Sequence, residues 1–491
     1  MTRFLLLFLA GGIAALGLPP ASWLFCVLAL LVILWQAASA KSMGAAGLAM
    51  LAGGFGWFAV SLYWISHSLF IGEAAYLFML PFSALGLPFF LALFWGAAGL
   101  AGWWAGASRG QKLILIALAT GLAEWARSWL LTGFPWNAPG QVFLATDGLA
   151  QMAALIGQNG LNLLLFAFLA GLGLVRENRL QAGVLMLPLL ICFGWGQHRI
   201  ATAPPLDPQL PAQVRLIQPA VPQAEKWQRA ARPAHLQRLV ELGLREKPIP
   251  QLVIWPQSAF AGSWPQEKQL LGQLARTTLQ EEGMLLTGLL RRAGPNHLLN
   301  SVMLLDGRGA EIASADKQRL VPFGEFVPVR FLPFVEALAG PTDFAPGRPP
   351  ALFAHPQLGR MRVLICYEVL FPGFIRDAPR PDFLVNLTND AWFGHTAGPY
   401  QHLAQSRLRA IEEGLVLLRV ANTGISAGFD GFGRLLGQTR LGEATALDLP
   451  VPAALAPPPY ARARQAGFLV LIFWLLGAAL LLDRSGQKRQ I

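Results

Sequence analysis

The 491-residue sequence predicts a polytopic α-helical membrane protein of about eight transmembrane helices that carries an extracytoplasmic α/β domain. Three observations predict it. Hydrophobic residues make up 54% of the chain and charged residues 13%, about half the share of roughly 25% in soluble domains. The charge is unevenly spread, with 12 charged residues in 1–200, 49 in 201–465 and 4 in 466–491. Apolar runs near the length of about 20 residues needed to span a bilayer crowd the first part and return once at the end. A disordered chain is excluded, and so is a soluble globule, which would expose too much apolar surface. The net charge of +11 is divided among all three parts and is no nucleic-acid signal.

The apolar runs lie at about 4–18, 22–40, 43–66, 75–105, 113–132, 150–175, 180–197 and 466–482. The first ends at Pro19-Pro20, and the apolar pattern resumes at once without a small-residue cleavage site. It therefore reads as the first arm of a hairpin and not as a cleaved signal peptide. The fourth is too long for a straight span, and Pro81 and Pro88 are expected to break or kink it. Domain boundaries follow: seven spans in 1–199, a domain of soluble-like composition in 200–463, and a last span with a tail in 464–491.

Basic residues orient these spans. Arg3, Lys41, Arg109 with Lys112, Arg176 with Arg179, and Arg484 with Lys488 and Arg489 fall on alternate sides, while 19–21, 67–74 and 133–149 contain no Lys or Arg. The positive-inside rule puts both termini in the cytoplasm and 200–463 on the opposite face. Arg462 and Arg464 count mildly against this. Within the fifth run, Glu124 and Arg127 are separated by one helical turn, so they either pair on one face or serve a lipid headgroup.

Residues 200–463 alternate between strand-like and helical patterns. Strands are expected at Val214–Pro219, Leu252–Trp255, Met284–Leu290, Ser301–Leu305, Arg362–Cys366, Phe383–Leu387, Leu415–Val420 and Ser426–Asp430, with helices at about 234–246, 266–282 and 399–413. This is the pattern of a layered α/β domain. Between Pro322 and Pro350 the pattern fails. Pro322, Pro328, Pro333, Pro341, Pro346, Pro349 and Pro350 interleave there with Phe323, Phe326, Phe331, Phe334 and Phe344. A long irregular segment is usually functional, and an apolar one beside a membrane fits a lid or a lipid-dipping arm. A packed connector is the plainer reading.

The three cysteines are Cys26, Cys192 and Cys366, and the first two sit in apolar runs. They form neither a disulfide framework nor a zinc spacing. The sequence has no Walker A loop, no HExxH and no clustered His/Cys ligands, and His395 and His402 have no metal spacing. A lone cysteine is commonly an inert buried side chain, but Cys366 ends a strand beside a carboxylate, in Leu364-Ile365-Cys366-Tyr367-Glu368. Two further segments stand out: Val253-Ile254-Trp255-Pro256-Gln257-Ser258-Ala259 and the run from Asp316-Lys317 to Gly324-Glu325. A nucleophilic cysteine needs a base, and it needs a positive group or N–H donors for the oxyanion.

These segments resemble the nitrilase superfamily, and most closely its membrane-bound branch, the apolipoprotein N-acyltransferases. The likeness extends to Asn389-Asp390-Ala391-Trp392-Phe393-Gly394 and Arg419-Val420-Ala421-Asn422-Thr423-Gly424, and with the flanking helices it covers nearly the whole chain. It implies an αββα sandwich whose catalytic set is Glu, Lys and Cys at strand ends. Lys317 and Cys366 match that set. Glu325, Tyr367 and Glu368 are implied as supporting residues, and Asn389, Trp392, Phe393 and Asn422 as substrate-binding candidates. No metal or other cofactor is implied.

One residue departs from the family pattern. Trp255-Pro256-Gln257 stands where the resemblance predicts Trp-Pro-Glu, with that Glu as general base. An amide hydrogen-bonds but cannot take the proton at neutral pH. An engineered substitution, a natural variant using another base such as Glu325 or Glu368, and a naturally inactive relative all fit, and each leaves the Gln257 form impaired, altered or inactive.

The implied reaction is ping-pong acyl transfer. The Cys366 thiolate takes an acyl chain from a phospholipid, phosphatidylethanolamine by resemblance, and passes it to the N-terminal amine of a diacylglyceryl-cysteine lipoprotein. This is the final step of bacterial lipoprotein maturation, at the periplasmic face of the inner membrane, with membrane lipids around a monomer. The rival readings are a membrane-anchored nitrilase-type amidase, for which seven preceding spans are excessive, and a catalytically dead lipid- or lipoprotein-binding relative, which Gln257 favours.

Overall fold

The computed structural model describes residues 1–71, 74–207, 213–245, 248–279, 281–294, 297–328, 343–349, 351–375 and 379–487. Pro333, Pro341 and Pro350, with Phe331 and Phe334 of the Pro- and Phe-rich segment, lie outside the described residues, as do Lys488 and Arg489.

Each predicted apolar run contains a helix. Met43–Ser61, Leu77–Ala105, Ala153–Leu174 and Arg179–Ala201 are long and apolar enough to cross a membrane. Thr2–Ala15, Leu24–Ala38 and Ala466–Leu481 are apolar but shorter. Arg109–Arg127 is 19 residues long and carries Arg109, Lys112, Glu124 and Arg127. The fourth run is irregular at its prolines: Pro81 leads into one widened turn, Phe82–Gly86, and Pro88 follows it at the start of Leu87–Ala105. Helix contacts are close because glycines face backbone. A Cβ on Gly56 would lie 1.8 Å from the Phe8 carbonyl oxygen, and one on Gly11 would lie 1.9 Å from that of Gly53.

Glu124 and Arg127 pair within their helix, Nη2 to Oε2 at 2.5 Å, both side chains buried. Trp95 Nε1 donates to Glu124 Oε1 at 2.8 Å, and Arg127 also donates to the carbonyls of Phe134 and Trp136. The pair thereby clamps the loop that follows the helix.

The second part is a two-sheet sandwich. Its strands are β1 (Val214–Gln218), β2 (Leu252–Ile254), β3 (Phe260–Trp264), β4 (Met284–Gly294), β5 (His297–Asp306), β6 (Glu311–Asp316), β7 (Leu352–His355), β8 (Gly359–Ile365), β9 (Phe383–Thr388), β10 (Val416–Ala421), β11 (Ala427–Phe429), β12 (Leu435–Gln438) and β13 (Thr445–Leu449). One sheet runs β13-β1-β2-β4-β5-β6, with β3 also on β4, and the other runs β12-β11-β10-β9-β8-β7. Alternation splits each central strand between two cores. Leu216, Ile254, Leu286 and Leu304 meet Val363, Ile365, Val385 and Leu418 between the sheets. Ile217, Val253, Leu285 and Leu305 face outward, where Leu236, Leu239, Leu271 and Ala275 of the helices Arg232–Leu244 and Lys268–Thr278 cover them. Ala397–Glu413 covers Leu364, Leu384 and Leu417 of the other sheet.

All eight expected strands are present. The five that were not expected are β3, β6, β7, β12 and β13, and four of these are the sheet edges. Edge strands face solvent on one side, so they lack the continuous apolar run that marks an interior strand. β6 (EIASAD) and β12 (LLGQ) are exposed or half-buried at every position but Ala315.

The helix Ala397–Glu413 joins the two parts. Its Gln401 accepts from Trp64 and Trp136 and donates to the Ser61 carbonyl. Glu412 accepts from the Gln158 backbone at 2.6 Å, and Arg409 donates to the Gln158 side chain at 3.0 Å. Tyr460 packs on Gly157, where a Cβ would lie 2.1 Å from the ring.

Candidate active site

The site forms where strands of one direction end. β1, β2 and β4 are parallel, as are β8, β9 and β10. Two antiparallel steps, β4 to β5 to β6, return β6 to the direction of β4. Gln257 follows β2, Lys317 follows β6, Cys366 follows β8, Asn389 follows β9 and Asn422 follows β10. Backbone contact between Ala220 and Asn422, at 3.0 Å, brings the β1 and β10 ends together across the sandwich. Strand ends leave backbone and side chains free for chemistry, which is why open α/β sheets bind ligands there.

Cys366 is half-buried and sits at φ +53°, a left-handed conformation that non-glycine residues seldom adopt. Its carbonyl lies 3.3 Å from Asn386 Nδ2 and 3.3 Å from His402 Nε2. Glu368 pins the same turn. Its Oε2 accepts from the Ile365 N–H at 2.7 Å, and its Oε1 accepts from the backbone N–H groups of Gln318 and Arg319 at 2.6 and 3.1 Å. This carboxylate thus ties the Cys366 turn to the residues after Lys317. Burial pushes it above the usual carboxylate range despite those three donors.

Lys317 is buried, and its Nζ lies 2.8 Å from Oε1 and 2.7 Å from Oε2 of Glu325. Burial works against its charge, but Glu325 and the cysteine outweigh burial and hold the ammonium above the ordinary lysine range. Glu325 is itself held by Asn300 Nδ2 at 2.9 Å and the Val321 N–H at 2.8 Å. Burial raises the Cys366 thiol, and Lys317 offsets only part of that rise. These surroundings favour the thiol over the thiolate at Cys366.

Gln257 is buried, and among the described residues its Oε1 has no hydrogen-bond partner. Gly288 of β4 makes room for its turn: a Cβ there would stand 2.6 Å from the Gln257 Cα and 2.5 Å from the Ser258 nitrogen. The Gln257 carbonyl accepts from Lys226 Nζ at 3.0 Å.

The structure brings Lys317, Glu325, Glu368 and Cys366 into one hydrogen-bonded and electrostatic set. Tyr367 turns away and donates its hydroxyl to the Gly133 carbonyl at 2.8 Å, in the loop clamped by Arg127. Asn389 and Asn422 are engaged with the loop after β1. Asn389 donates to Gln223 Oε1 at 2.7 Å, while Asn422 accepts from the Val221 N–H at 3.0 Å and donates to Asn389 Oδ1 at 3.0 Å. Phe393 packs edge-on to Trp64, ring centres 4.5 Å apart, and Trp392 is exposed.

Sequence reasoning missed the layer behind the cysteine. Asp390 bonds His402 Nδ1 at 2.9 Å, Thr388 at 2.9 Å and Arg419 at 2.5 Å, all buried. Burial would raise its carboxyl, but Arg419 and His402 prevail and hold it well below the usual range. Lys226, which the sequence did not single out, is buried beside Gln257. Its signal was position: it follows a parallel strand, as Gln257 and Cys366 do.

A cysteine on a strained turn, a charged buried lysine clasped by a carboxylate, and a third position after β2, all at the strand ends of a two-layer sandwich, define a site of the carbon-nitrogen hydrolase class. Residues 213–450 match the carbon-nitrogen hydrolase domain, and residues 10–172 match the apolipoprotein N-acyltransferase N-terminal domain. The apolipoprotein N-acyltransferase of Rhizobium rhizogenes is 35% identical over 515 residues, covering 99% of this chain and 96% of that one. That of Brucella melitensis is 34% identical, with 93% and 91% covered. An amidase from Nesterenkonia sp. superposes with a TM-score of 0.39 at 19% identity, covering 55% of this chain and 99% of that one. The chain belongs to the apolipoprotein N-acyltransferase family, and its catalytic domain is that of an acyltransferase.

Proposed function

We propose that the chain moves an acyl group from a phospholipid, with phosphatidylethanolamine as donor, through a thioester on Cys366 to the α-amine of a diacylated apolipoprotein. The observation that supports this most is the buried Lys317–Glu325 pair set in the electrostatic environment of the Cys366 thiol. Attack on the ester carbonyl develops an oxyanion, and an ammonium that keeps its charge in a buried site stabilises it without reorganisation. The backbone N–H near Tyr367 is a second donor in this reading. The residue at 257, as a glutamate, deprotonates the thiol and later relays the amine proton; as glutamine it cannot, so the chain as written is impaired. Glu325 keeps Lys317 charged, and Glu368 fixes the distance between the lysine and cysteine turns.

In this reading eight helices embed 1–199 and 464–491 in a bacterial inner membrane, with both termini cytoplasmic. Residues 200–463 stand at the periplasmic face as a monomer. Trp392 and Phe393 then lie toward the acyl chains, and Asn389 and Asn422 shape the wall that meets the acceptor. Tyr367 and Gln401 couple the site to the helices, so both lipid substrates keep their chains in apolar surroundings, where water that would hydrolyse the thioester is scarce.

The test restores Gln257→Glu and incubates both forms with phosphatidylethanolamine in detergent, followed by intact mass. An acyl adduct that disappears in Cys366→Ala, and that transfers to a diacylated peptide, is expected. The absence of adduct and product in the restored form would overturn the reading, and release to water alone would favour the amidase.

A further inference from the structure

The ion pair inside the fifth apolar run acts beyond its own helix. Arg127 meets Glu124 twice, Nη2 to Oε2 at 2.5 Å and Nε to Oε1 at 3.2 Å, and Trp95 Nε1 fixes Oε1 from the helix Leu87–Ala105 at 2.8 Å. Nη1 of Arg127 is left to donate to the carbonyls of Phe134 and Trp136, the second at 3.0 Å. The loop held in this way is irregular. Leu131, Thr132 and Gly133 in succession have φ of +51°, +78° and +82°, and a Cβ on Gly133 would lie 2.4 Å from the Ser128 carbonyl oxygen. Non-helical backbone packed among apolar helices needs internal partners for its polar groups, and a buried arginine matched by a carboxylate supplies them.

Two sets of contacts carry this loop to the cysteine turn. The Tyr367 hydroxyl donates to the Gly133 carbonyl at 2.8 Å, and its ring lies against Phe134, ring centres 6.3 Å apart. The Trp136 ring lies against His402, ring centres 5.0 Å apart, and His402 Nε2 is 3.3 Å from the Cys366 carbonyl oxygen. The loop therefore holds the residue after Cys366 directly and the Cys366 backbone through His402. Cys366 needs such support, because a φ of +53° persists only where neighbours over-determine it. Glu368 fastens the turn to the residues after Lys317, and residues 133–136 fasten it to the helices.

We propose that Arg127, oriented by Glu124, is a positioning residue for Cys366: it shapes residues 133–136 so that Tyr367 and His402 hold the cysteine turn in place for attack on the lipid ester. The inference rests on the Cys366 thioester reading above. Arg127 acts through the turn and not on the substrate. Attack of sulfur on an ester carbonyl tolerates little misplacement, and a shift of about 1 Å can cost about 100-fold in rate. Arg127 and Tyr367 are both buried, so bulk water does not replace either contact once it is lost.

The test is a pairwise cycle in the full Gln257→Glu chain in detergent, read by intact mass as the single-turnover rate of Cys366 acylation over a range of phosphatidylethanolamine concentrations. Tyr367→Phe removes only the hydroxyl that holds Gly133. Arg127→Lys keeps a positive charge beside Glu124, but an ammonium cannot span the carboxylate and two carbonyls as the guanidinium fork does. Each is expected to lower the maximal rate by about tenfold or more, with the half-saturating lipid concentration unchanged. The double variant is expected to be about as slow as the slower single one, because both changes break the same line of contacts. Losses that multiply in the double variant, a change confined to half-saturation, or parent rates in both single variants would overturn the proposal. Thermal midpoints identify a variant that has not folded. If Arg127→Lys is one, Tyr367→Phe decides alone: a lower maximal rate at unchanged half-saturation supports the proposal and a parent rate overturns it. If the Gln257→Glu parent gains no adduct, the thioester reading itself fails.

Discussion

Lys317 and Glu325 form a closed ion pair, with the lysine nitrogen within 2.8 Å of both carboxylate oxygens. The lysine is 1% exposed and the glutamate 12%, so the lysine's charge depends on its partner.

Glu325→Gln is expected to lower Cys366 acylation by about 100-fold or more, the scale of losing one oxyanion donor. Without the carboxylate, burial favours the neutral amine, which has little charge to offer the oxyanion. The measurement is the single-turnover acylation rate in the Gln257→Glu background, with the thermal midpoint beside it. An unchanged rate would show that Lys317 acts without this partner.

Cys366 has a raised thiol pKa, with burial outweighing the attraction of Lys317. A raised pKa means less thiolate at neutral pH than in a free cysteine. Iodoacetamide should therefore alkylate Cys366 at pH 7.5 more slowly than it alkylates a free thiol, with the rate rising above the ordinary cysteine range. Lys317→Met should move the profile to still higher pH. Alkylation faster than a free thiol at pH 7.5 would contradict this.

Arg419 and Asp390 are both fully buried and 2.5 Å apart. Removing one partner of such a pair costs about 3–5 kcal/mol, so Arg419→Met should lower the thermal midpoint at pH 7. The Asp390 carboxyl is held below its usual range. Its pairing therefore contributes fully above the ordinary aspartate pKa, and the contribution is lost as pH falls toward the depressed value. The gap between parent and variant should narrow on acidification, and a constant gap would assign the loss to packing.

The orientation of the helices has a direct test. A reporter inserted at 203–206 should read periplasmic, and one fused after Ile491 cytoplasmic. The reverse pattern would place the catalytic domain on the wrong face for a diacylated lipoprotein.

Much of the fold was legible because its signals are local. Apolar runs mark helices whatever they pack against, and interior strands such as Phe383–Leu387 and Leu415–Val420 are apolar because both faces are covered. Edge strands carry no such run, so β6, β7, β12 and β13 escaped notice. At the site, Cys366 and Lys317 were legible as chemistry-bearing residues at strand ends. Lys226, in Gln223-Ala224-Glu225-Lys226-Trp227, looks like one charge among several on a loop, and nothing nearby in sequence marks it as buried.

The residues by themselves determined a chain of two materials with a layered α/β domain, because composition and run length are properties of short segments, and the family resemblance added the αββα arrangement and the expectation of a base at 257. Only the tertiary structure decided which charges meet. Lys226 reaches the Gln257 carbonyl across 31 positions and His402 approaches the Cys366 carbonyl across 36. Tyr367 grips Gly133 across 234. Those meetings depend on strand order and on how the sandwich seats against the helices. Burial, which works against the Lys317 charge that Glu325 restores and which lowers the Lys226 amine, exists only once the chain has folded.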